Sequence, residues 1–204
     1  EVIKGLKTAL LNERRYWKQR FNQGLENTSD EFKTSYAKAF KVIHEISKEL
    51  FGYKLENKAS KSFRPLLTID EPLHFDTYEV PCGKTSLMAV LNFDFLDRVW
   101  HVGPSLEDLI SNNTEYFIKT RKSLKPNENL MVRVREEGKK GIGPLADISN
   151  IQRIGFTENT LWFANPKTVS HQIVYGGGAL FVQWLIEEPD CGCQKCLFKK
   201  YGIS

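Results

Sequence analysis

His74-Phe75-Asp76 is the stretch of this 204-residue chain that decides its fold, together with His171 in Thr168-Val169-Ser170-His171-Gln172-Ile173-Val174. In an extended strand, residues i and i+2 point to the same side, so His74 and Asp76 can hold one ion while Phe75 faces away. Two imidazoles and one carboxylate occupy one face of an octahedral metal and leave the opposite face open, an arrangement that suits Fe(II). We therefore predict a metal site formed by His74, Asp76 and His171.

The overall composition is that of an ordinary soluble globular chain, with 41% hydrophobic and 26% charged residues. The net charge of +4 is small and the basic residues are scattered, so the charge gives no indication of nucleic-acid binding. No apolar run is long enough to cross a bilayer, and no secretory signal is recognisable. The chain has 4 cysteines, and most of them lie in one short segment, unlike the evenly spread set of a secreted disulfide scaffold. We expect a cytoplasmic protein with neither a nucleic-acid nor a membrane partner.

The N-terminal part of the chain predicts a pair of helices. An apolar stripe at helical period indicates a helix over residues 1–24. Thr28 and Glu31 form a capping-box pair for a second helix, which runs to about Leu50 and stops at Gly52. These amphipathic helices either cover the domain that follows or form a homodimer.

The pattern then changes to short apolar runs separated by Pro and Gly, which indicates strands. Residues 104–124 predict a helix, with acidic residues early and basic residues at its end. Residues 130–134 alternate and predict a strand, and the glycine-rich residues 136–147 predict a surface loop or a mobile lid. Later strands are predicted over 151–156, 160–164, 169–174 and 179–186.

The order of these helices and strands predicts an α+β fold with a β-sandwich or barrel core and helices outside. Its parts are a helical region at 1–60, a core at 61–188 with a helical insertion at about 104–124, and a Cys-rich tail at 189–204.

Two longer segments surround the predicted metal ligands. The first is His74-Phe75-Asp76-Thr77-Tyr78 with Gly83-Lys84-Thr85-Ser86-Leu87-Met88-Ala89-Val90-Leu91-Asn92, and the second runs from Asn159 through Ser170-His171 to Trp184. Together they resemble the metal-binding and closing strands of the Fe(II)/2-oxoglutarate-dependent dioxygenase superfamily, in its prolyl-4-hydroxylase-like branch. The resemblance implies a double-stranded β-helix, or jelly roll, in which His74, Asp76 and His171 hold Fe(II). It also implies hydroxylation with O2 and 2-oxoglutarate as cosubstrates.

One feature of that family is absent at its usual place. A basic residue several positions after the second histidine normally anchors the far carboxylate of 2-oxoglutarate, but the matching position here is Gly178, and neither Lys nor Arg occurs from Gln172 to Glu188. A buried dicarboxylate needs a cationic partner or good hydrogen bonds. Three accounts stay open: the anchor has moved, with Lys84 and Arg153 the nearest candidates; the cosubstrate differs or is absent; or the chain binds metal without turnover.

Two further features of these segments have open interpretations. Tyr78 resembles the residue of the family that hydrogen-bonds the oxo acid, and a tyrosine of the barrel core is the alternative. The glycine run at residues 176–178 either lets a ligand or another backbone approach closely or marks a flexible or bulged strand.

The sequence leaves two classes of function open. The first is a non-heme Fe(II)-dependent oxygenase, a 2-oxoglutarate-dependent hydroxylase of a small molecule or a peptide. The second is a non-catalytic jelly-roll binding module that has lost cosubstrate binding. A cation inside the barrel, about one oxo-acid length from the metal, favours the enzyme, whereas Phe or Trp side chains that fill the barrel mouth favour the binding module.

The cysteine-rich tail is a second candidate metal site. Cys191, Cys193 and Cys196 lie close together in sequence and can hold Zn²⁺ with a fourth ligand such as Cys82. Oxidation-prone surface thiols are the alternative interpretation.

Overall fold

The structure is a computed structural model, and it describes residues 29–52, 60–64, 68–69, 72–77, 80–146, 148–188 and 193–203. Within these ranges the helices are α1 (Asp30–Phe51), α2 (Leu106–Asn112), α3 (Thr114–Ser123), α4 (Leu130–Lys139) and α5 (Gln194–Lys200). The strands are β1 (Ser60–Arg64), β2 (Thr68–Ile69), β3 (Lys84–Asn92), β4 (Arg98–Ser105), β5 (Gln152–Phe156), β6 (Leu161–Ala164), β7 (Val169–Gly176) and β8 (Ala179–Glu187). The mixture of helices and antiparallel strands confirms the predicted α+β class.

The described strands form two four-stranded sheets with the orders β1-β8-β3-β6 and β2-β7-β4-β5. Every pairing is antiparallel. Alternation along β3 separates two faces, because successive side chains of a strand point to opposite sides. Met88 and Val90 pack with Trp100 and Ile173 of the second sheet. The alternate residues of β3, Leu87, Ala89 and Leu91, pack instead against α1.

Helix α1 covers the outer face of the first sheet. The Ser29 side chain accepts a hydrogen bond from the Phe32 backbone N–H at 3.2 Å, which caps the first turn. Gly52 ends the helix with a φ of 66°, a conformation that favours glycine. The buried face of the helix packs on Trp184 and its neighbours in the sheet through Phe32, Tyr36, Ala39 and Ile43. The predicted second helix is thus confirmed, with Ser29 as its N-cap, while Thr28 and the predicted helix over 1–24 lie outside the described residues.

Helices α2 to α5 form a second apolar cluster beside the sheets. Its buried members include Phe75, which follows His74, and Leu197 of α5. The predicted helix over 104–124 is two helices, because the chain departs from helical geometry at Asn113, where φ is −135° and ψ is 32°. Because Phe75 belongs to this cluster, the cluster packs against the segment that carries the predicted metal ligands His74 and Asp76.

The strand predicted over 130–134 is wrong, since these residues begin α4. The Asn129 side chain accepts hydrogen bonds from the backbone N–H groups of Met131 at 2.9 Å and Val132 at 3.2 Å, which caps a helix. Leu130 and Val134 are four residues apart, so they share one helical face, and both are buried. The helix also takes the first part of the loop predicted over 136–147.

No helix among the described residues has both the length and the apolar character needed to cross a bilayer.

Candidate metal centre

His74, Asp76 and His171 come together as the sequence predicts. Each offers one ligand atom, and these atoms all lie within 4.8 Å of one another. Asp76 Oδ1 is 3.8 Å from His74 Nε2 and 3.9 Å from His171 Nε2. Both histidines are buried, at 5% and 7% exposure, while 29% of the Asp76 side chain is exposed. The three donors therefore converge from the protein side and leave the carboxylate side accessible.

The remaining ring nitrogens fix the histidine tautomers. His74 Nδ1 is 2.7 Å from the Pro72 carbonyl oxygen, and His171 Nδ1 is 3.2 Å from the Val169 carbonyl oxygen. Because a carbonyl only accepts, each Nδ1 carries the proton and donates it, which leaves the Nε2 lone pair for a metal. The donor set of two neutral imidazoles and one carboxylate fits Fe(II).

The backbone holds the two histidines side by side. His74 N–H donates to the His171 carbonyl at 3.0 Å, and His171 N–H donates to the His74 carbonyl at 2.9 Å. This pair is an isolated antiparallel bridge beyond the end of β2. The Asp76 N–H donates to the Pro166 carbonyl at 2.9 Å, which ties the carboxylate segment to the turn before β7. The i, i+2 spacing of His74 and Asp76 thus places both side chains at one point beside β7.

Aromatic rings pack behind the second histidine. The Trp100 ring lies nearly parallel to the His171 ring, with centroids 5.3 Å apart and an interplanar angle of 21°. Trp162 meets Trp100 edge-on at 5.6 Å and stacks on Phe156 at 3.7 Å. These rings fill the space between the sheets next to His171 and restrict the orientation of its imidazole.

The two predicted anchor candidates lie in different surroundings. Lys84 begins β3, on the strand face that Met88 shares, and it is half-buried. Arg153 is exposed on edge strand β5, opposite His101. The structure thus places Lys84 on the face that looks toward the second sheet and Arg153 on an exposed edge. Tyr78 lies outside the described residues.

A cavity of about 780 Å³ opens next to Lys84, and its wall includes Lys167 and Thr168, which precede β7. Its basic lining residues come from β3, α3, the turn before β7 and α5, namely Lys84, Arg121, Lys167, Lys195 and Lys199. Glu128 also lines it, and Arg133 Nη1 lies 3.2 Å from that carboxylate. The cavity is therefore strongly cationic, a property that only the fold assembles from scattered residues.

The glycine run at 176–178 serves the packing of two buried charged side chains that the sequence did not single out. A Cβ on Gly176 would lie 2.5 Å from Arg98 Cγ, and a Cβ on Gly177 would lie 2.4 Å from Asp94 Cγ. Arg98 Nη1 donates to the Gly177 carbonyl at 2.9 Å, and Gly178 N–H donates to Asp94 Oδ2 at 2.8 Å. The close approach expected for the glycines is thus made by side chains of this chain.

No protein-family model matches the chain, and no curated protein matches it by sequence. Solved structures do match: the Kdo hydroxylase KdoO, a non-heme Fe(II) α-ketoglutarate-dependent dioxygenase, aligns with a TM-score of 0.62 and 15% identity in its complex with succinate and Fe(III). Its complex with α-ketoglutarate and Fe(III) aligns with a TM-score of 0.61 at the same 15% identity. The alignment covers 80% of this chain and 66% of KdoO, just under two thirds of the neighbour. The chain therefore has the fold of this dioxygenase.

Proposed function

We propose that the chain is a non-heme Fe(II)-dependent oxygenase in which His74, Asp76 and His171 hold the iron. The observation that carries the proposal is the convergence of one ligand atom from each of the three residues within 4.8 Å, with both Nδ1 atoms turned to carbonyl oxygens. The arrangement of the eight described strands in two antiparallel sheets supports a double-stranded β-helix as its scaffold. Similarity to KdoO supports 2-oxoglutarate and O2 as cosubstrates, with hydroxylation as the reaction.

Iron bound here would supply the oxidising chemistry, and the residues of the chain would supply position and charge. Donation of the Nδ1 protons to carbonyl groups would leave the Nε2 lone pairs of both imidazoles for the iron. Asp76 contributes the negative charge and faces the open side, where an oxo acid, O2 and a substrate have access. Trp100 holds the His171 ring in one orientation by stacking.

Lys84 is the favoured anchor for the far carboxylate of 2-oxoglutarate. It lies on the β3 face that looks toward the second sheet, and it lines the cationic cavity. Arg153 is the rival candidate, and Tyr78 is proposed to hydrogen-bond the oxo acid on the strength of the family resemblance. A small molecule or peptide is the proposed substrate, and the prolyl-4-hydroxylase-like branch, the cytoplasmic location and the homodimer stay predictions.

A non-catalytic binding module is the second candidate function. The aromatic packing of Trp100, Trp162 and Phe156 next to His171 favours it, because these rings occupy space between the sheets that an oxo acid would otherwise enter. Anaerobic enzyme incubated with Fe(II) and 2-oxoglutarate and then exposed to O2 separates the two functions. Succinate formation supports the oxygenase, and its absence with iron bound supports the binding module.

Single substitutions test the metal ligands. His74→Ala and His171→Ala should each abolish stoichiometric Fe(II) binding in anaerobic equilibrium dialysis, and Asp76→Ala should weaken it, while far-ultraviolet circular dichroism stays close to wild type. His101→Ala is the matched control, because His101 bonds Gln172 at 3.1 Å and is not one of the three converging ligands. Full iron binding in both ligand-histidine variants would end the proposal.

Two further substitutions test the anchor. Lys84→Ala should raise the apparent 2-oxoglutarate constant about tenfold or more, since a hydrogen bond to a charged group contributes about 1.5–3 kcal/mol. Arg153→Ala should leave the constant unchanged. A rise in the Arg153 variant alone would transfer the role to that residue, and no rise in either would show that the moved-anchor account is wrong.

A further inference from the structure

The thiols of Cys82, Cys193 and Cys196 form a second cluster of metal-ligating atoms, with all three Sγ atoms within 4.8 Å of one another. Cys82 and Cys196 are 114 positions apart in sequence, and their Sγ atoms are 3.2 Å apart. Tetrahedral zinc, with Zn–S bonds of about 2.3 Å, separates its sulfur ligands by about 3.8 Å. Movements of about 1 Å or less would therefore bring the three thiolates to ligand positions around one ion.

We propose that Cys82, Cys193 and Cys196 bind a structural zinc ion that is separate from the iron centre. Thiolates are soft ligands that select zinc, whereas the imidazole and carboxylate donors of the first site suit Fe(II). Cys193 and Cys196 have the Cys-x-x-Cys spacing of one ligand pair, and the fold adds Cys82 from a distant turn. Three sulfur ligands leave one position of the tetrahedron for a further ligand.

The ion would join two parts of the fold, helix α5 and the turn before β3. Helix α5 packs its apolar side into the helical cluster through Leu197, and Lys200 Nζ lies 2.6 Å from Glu107 Oε1. Cys193 and Cys196 lie at the start of this helix, and Cys82 lies in the turn before β3. A zinc ion at the three thiols would therefore fasten α5 to the first sheet.

The zinc ion would also connect two walls of the cationic cavity. Cys193, at the start of α5, lines one wall, and Lys84 of β3, two residues after Cys82, lines another. Zinc would fix the distance between the α5 wall and the β3 wall. The positive lysines of both walls offset the negative charge that three thiolates leave on a Zn²⁺ complex.

The test uses Co²⁺ as a spectroscopic replacement for zinc in the reduced, full-length chain. Thiolate ligation gives an intense sulfur-to-cobalt charge-transfer band in the near ultraviolet, which the His74, Asp76 and His171 site lacks because it has no sulfur. We expect one equivalent of this band in wild type and in His171→Ala. Cys82→Ser and Cys196→Ser should lose it, and Lys122→Ala, at an exposed lysine of α3 that does not line the cavity, should retain it.

A second measurement needs no variant. Wild-type protein purified under reducing conditions should contain one equivalent of zinc, and a mercurial thiol reagent should release it in proportion to the thiols titrated. Amide hydrogen exchange in α5 should rise as the zinc leaves, because the link to β3 is lost. The proposal is overturned if reduced wild type gives no sulfur charge-transfer band, or if Cys82→Ser keeps both the band and the zinc.

Discussion

Gly177→Ala tests whether the glycine run exists for internal packing. The new Cβ would lie 2.4 Å from both Cγ and Oδ2 of Asp94, where carbon atoms normally stay about 3.5 Å or more apart. The carboxylate must therefore move by about 1 Å. That movement weakens the bonds it accepts from Gly178 N–H at 2.8 Å and Leu96 N–H at 3.3 Å.

The hydrogen bonds that Asp94 accepts set the expected loss in the free energy of unfolding. Two hydrogen bonds to a charged acceptor, each contributing about 1.5–3 kcal/mol, give a loss of about 3 kcal/mol or more in the free energy of unfolding. For a chain of this length that corresponds to a fall in Tm of about 6–12 °C. Urea unfolding monitored by tryptophan fluorescence, with a thermal scan beside it, measures both quantities.

Gly155→Ala is the matched control, because a Cβ there meets nothing within 4 Å. We expect it to change the free energy of unfolding by about 0.5 kcal/mol or less. If Gly177→Ala is as stable as this control, Asp94 does not need the space, and the packing account of the glycine run is wrong.

Further predictions concern the helical cluster. Asn129→Ala should lower the free energy of unfolding by about 1 kcal/mol, because it removes the cap of α4, and an unchanged urea midpoint would contradict that role. The hydrogen bond from Tyr116 lowers the pKa of Glu137, so this stabilisation is present above the ordinary glutamate pKa and is lost as pH falls through the lowered value. Tyr116→Phe should therefore be less stable than wild type at pH 7, with a difference that shrinks in acid, and a difference independent of pH would refute the linkage. Gly143→Ala should also destabilise, since φ is +80° there and the Cβ would lie 2.7 Å from the Tyr116 hydroxyl, and equal thermal stability would contradict this.

The grouping of the candidate metal ligands could be predicted from sequence in part because strand geometry alone relates His74 to Asp76. His171 followed from its place in a segment that resembles the closing strands of a known superfamily. The fold then adds what the spacing does not contain, namely the backbone bridge between the two histidines and the carbonyl groups that select their tautomers. These contacts depend on the path of the chain before each ligand, which local pattern does not specify.

Helix α4 shows why alternation misled the interpretation of residues 130–134. Leu130 and Val134 satisfy both a period of two and a spacing of four, so the apolar pattern does not separate strand from helix. The deciding signal was Asn129, a good N-cap residue that stands immediately before the apolar run. Weighing the cap before the alternation would have predicted the helix.

Buried charge was the feature that sequence reasoning missed. Arg98 and Asp94 are charged residues of types that are seldom fully buried, and nothing adjacent in sequence indicates their partners. Their hydrogen-bonding partners, the glycines at 177 and 178, are about 80 residues away in the chain. The cationic cavity likewise draws its lysines from separate elements, so only the tertiary fold brings them together.

Anaerobic visible absorbance of the Fe(II)-loaded protein, recorded with and without 2-oxoglutarate, tests the central claim most directly. We expect stoichiometric iron that depends on His74 and His171, and a new charge-transfer band when the oxo acid is added, because the acid binds at the open face of the metal. Iron that binds without producing the band would contradict the use of 2-oxoglutarate, and a wild-type protein that binds no iron would contradict the metal centre itself.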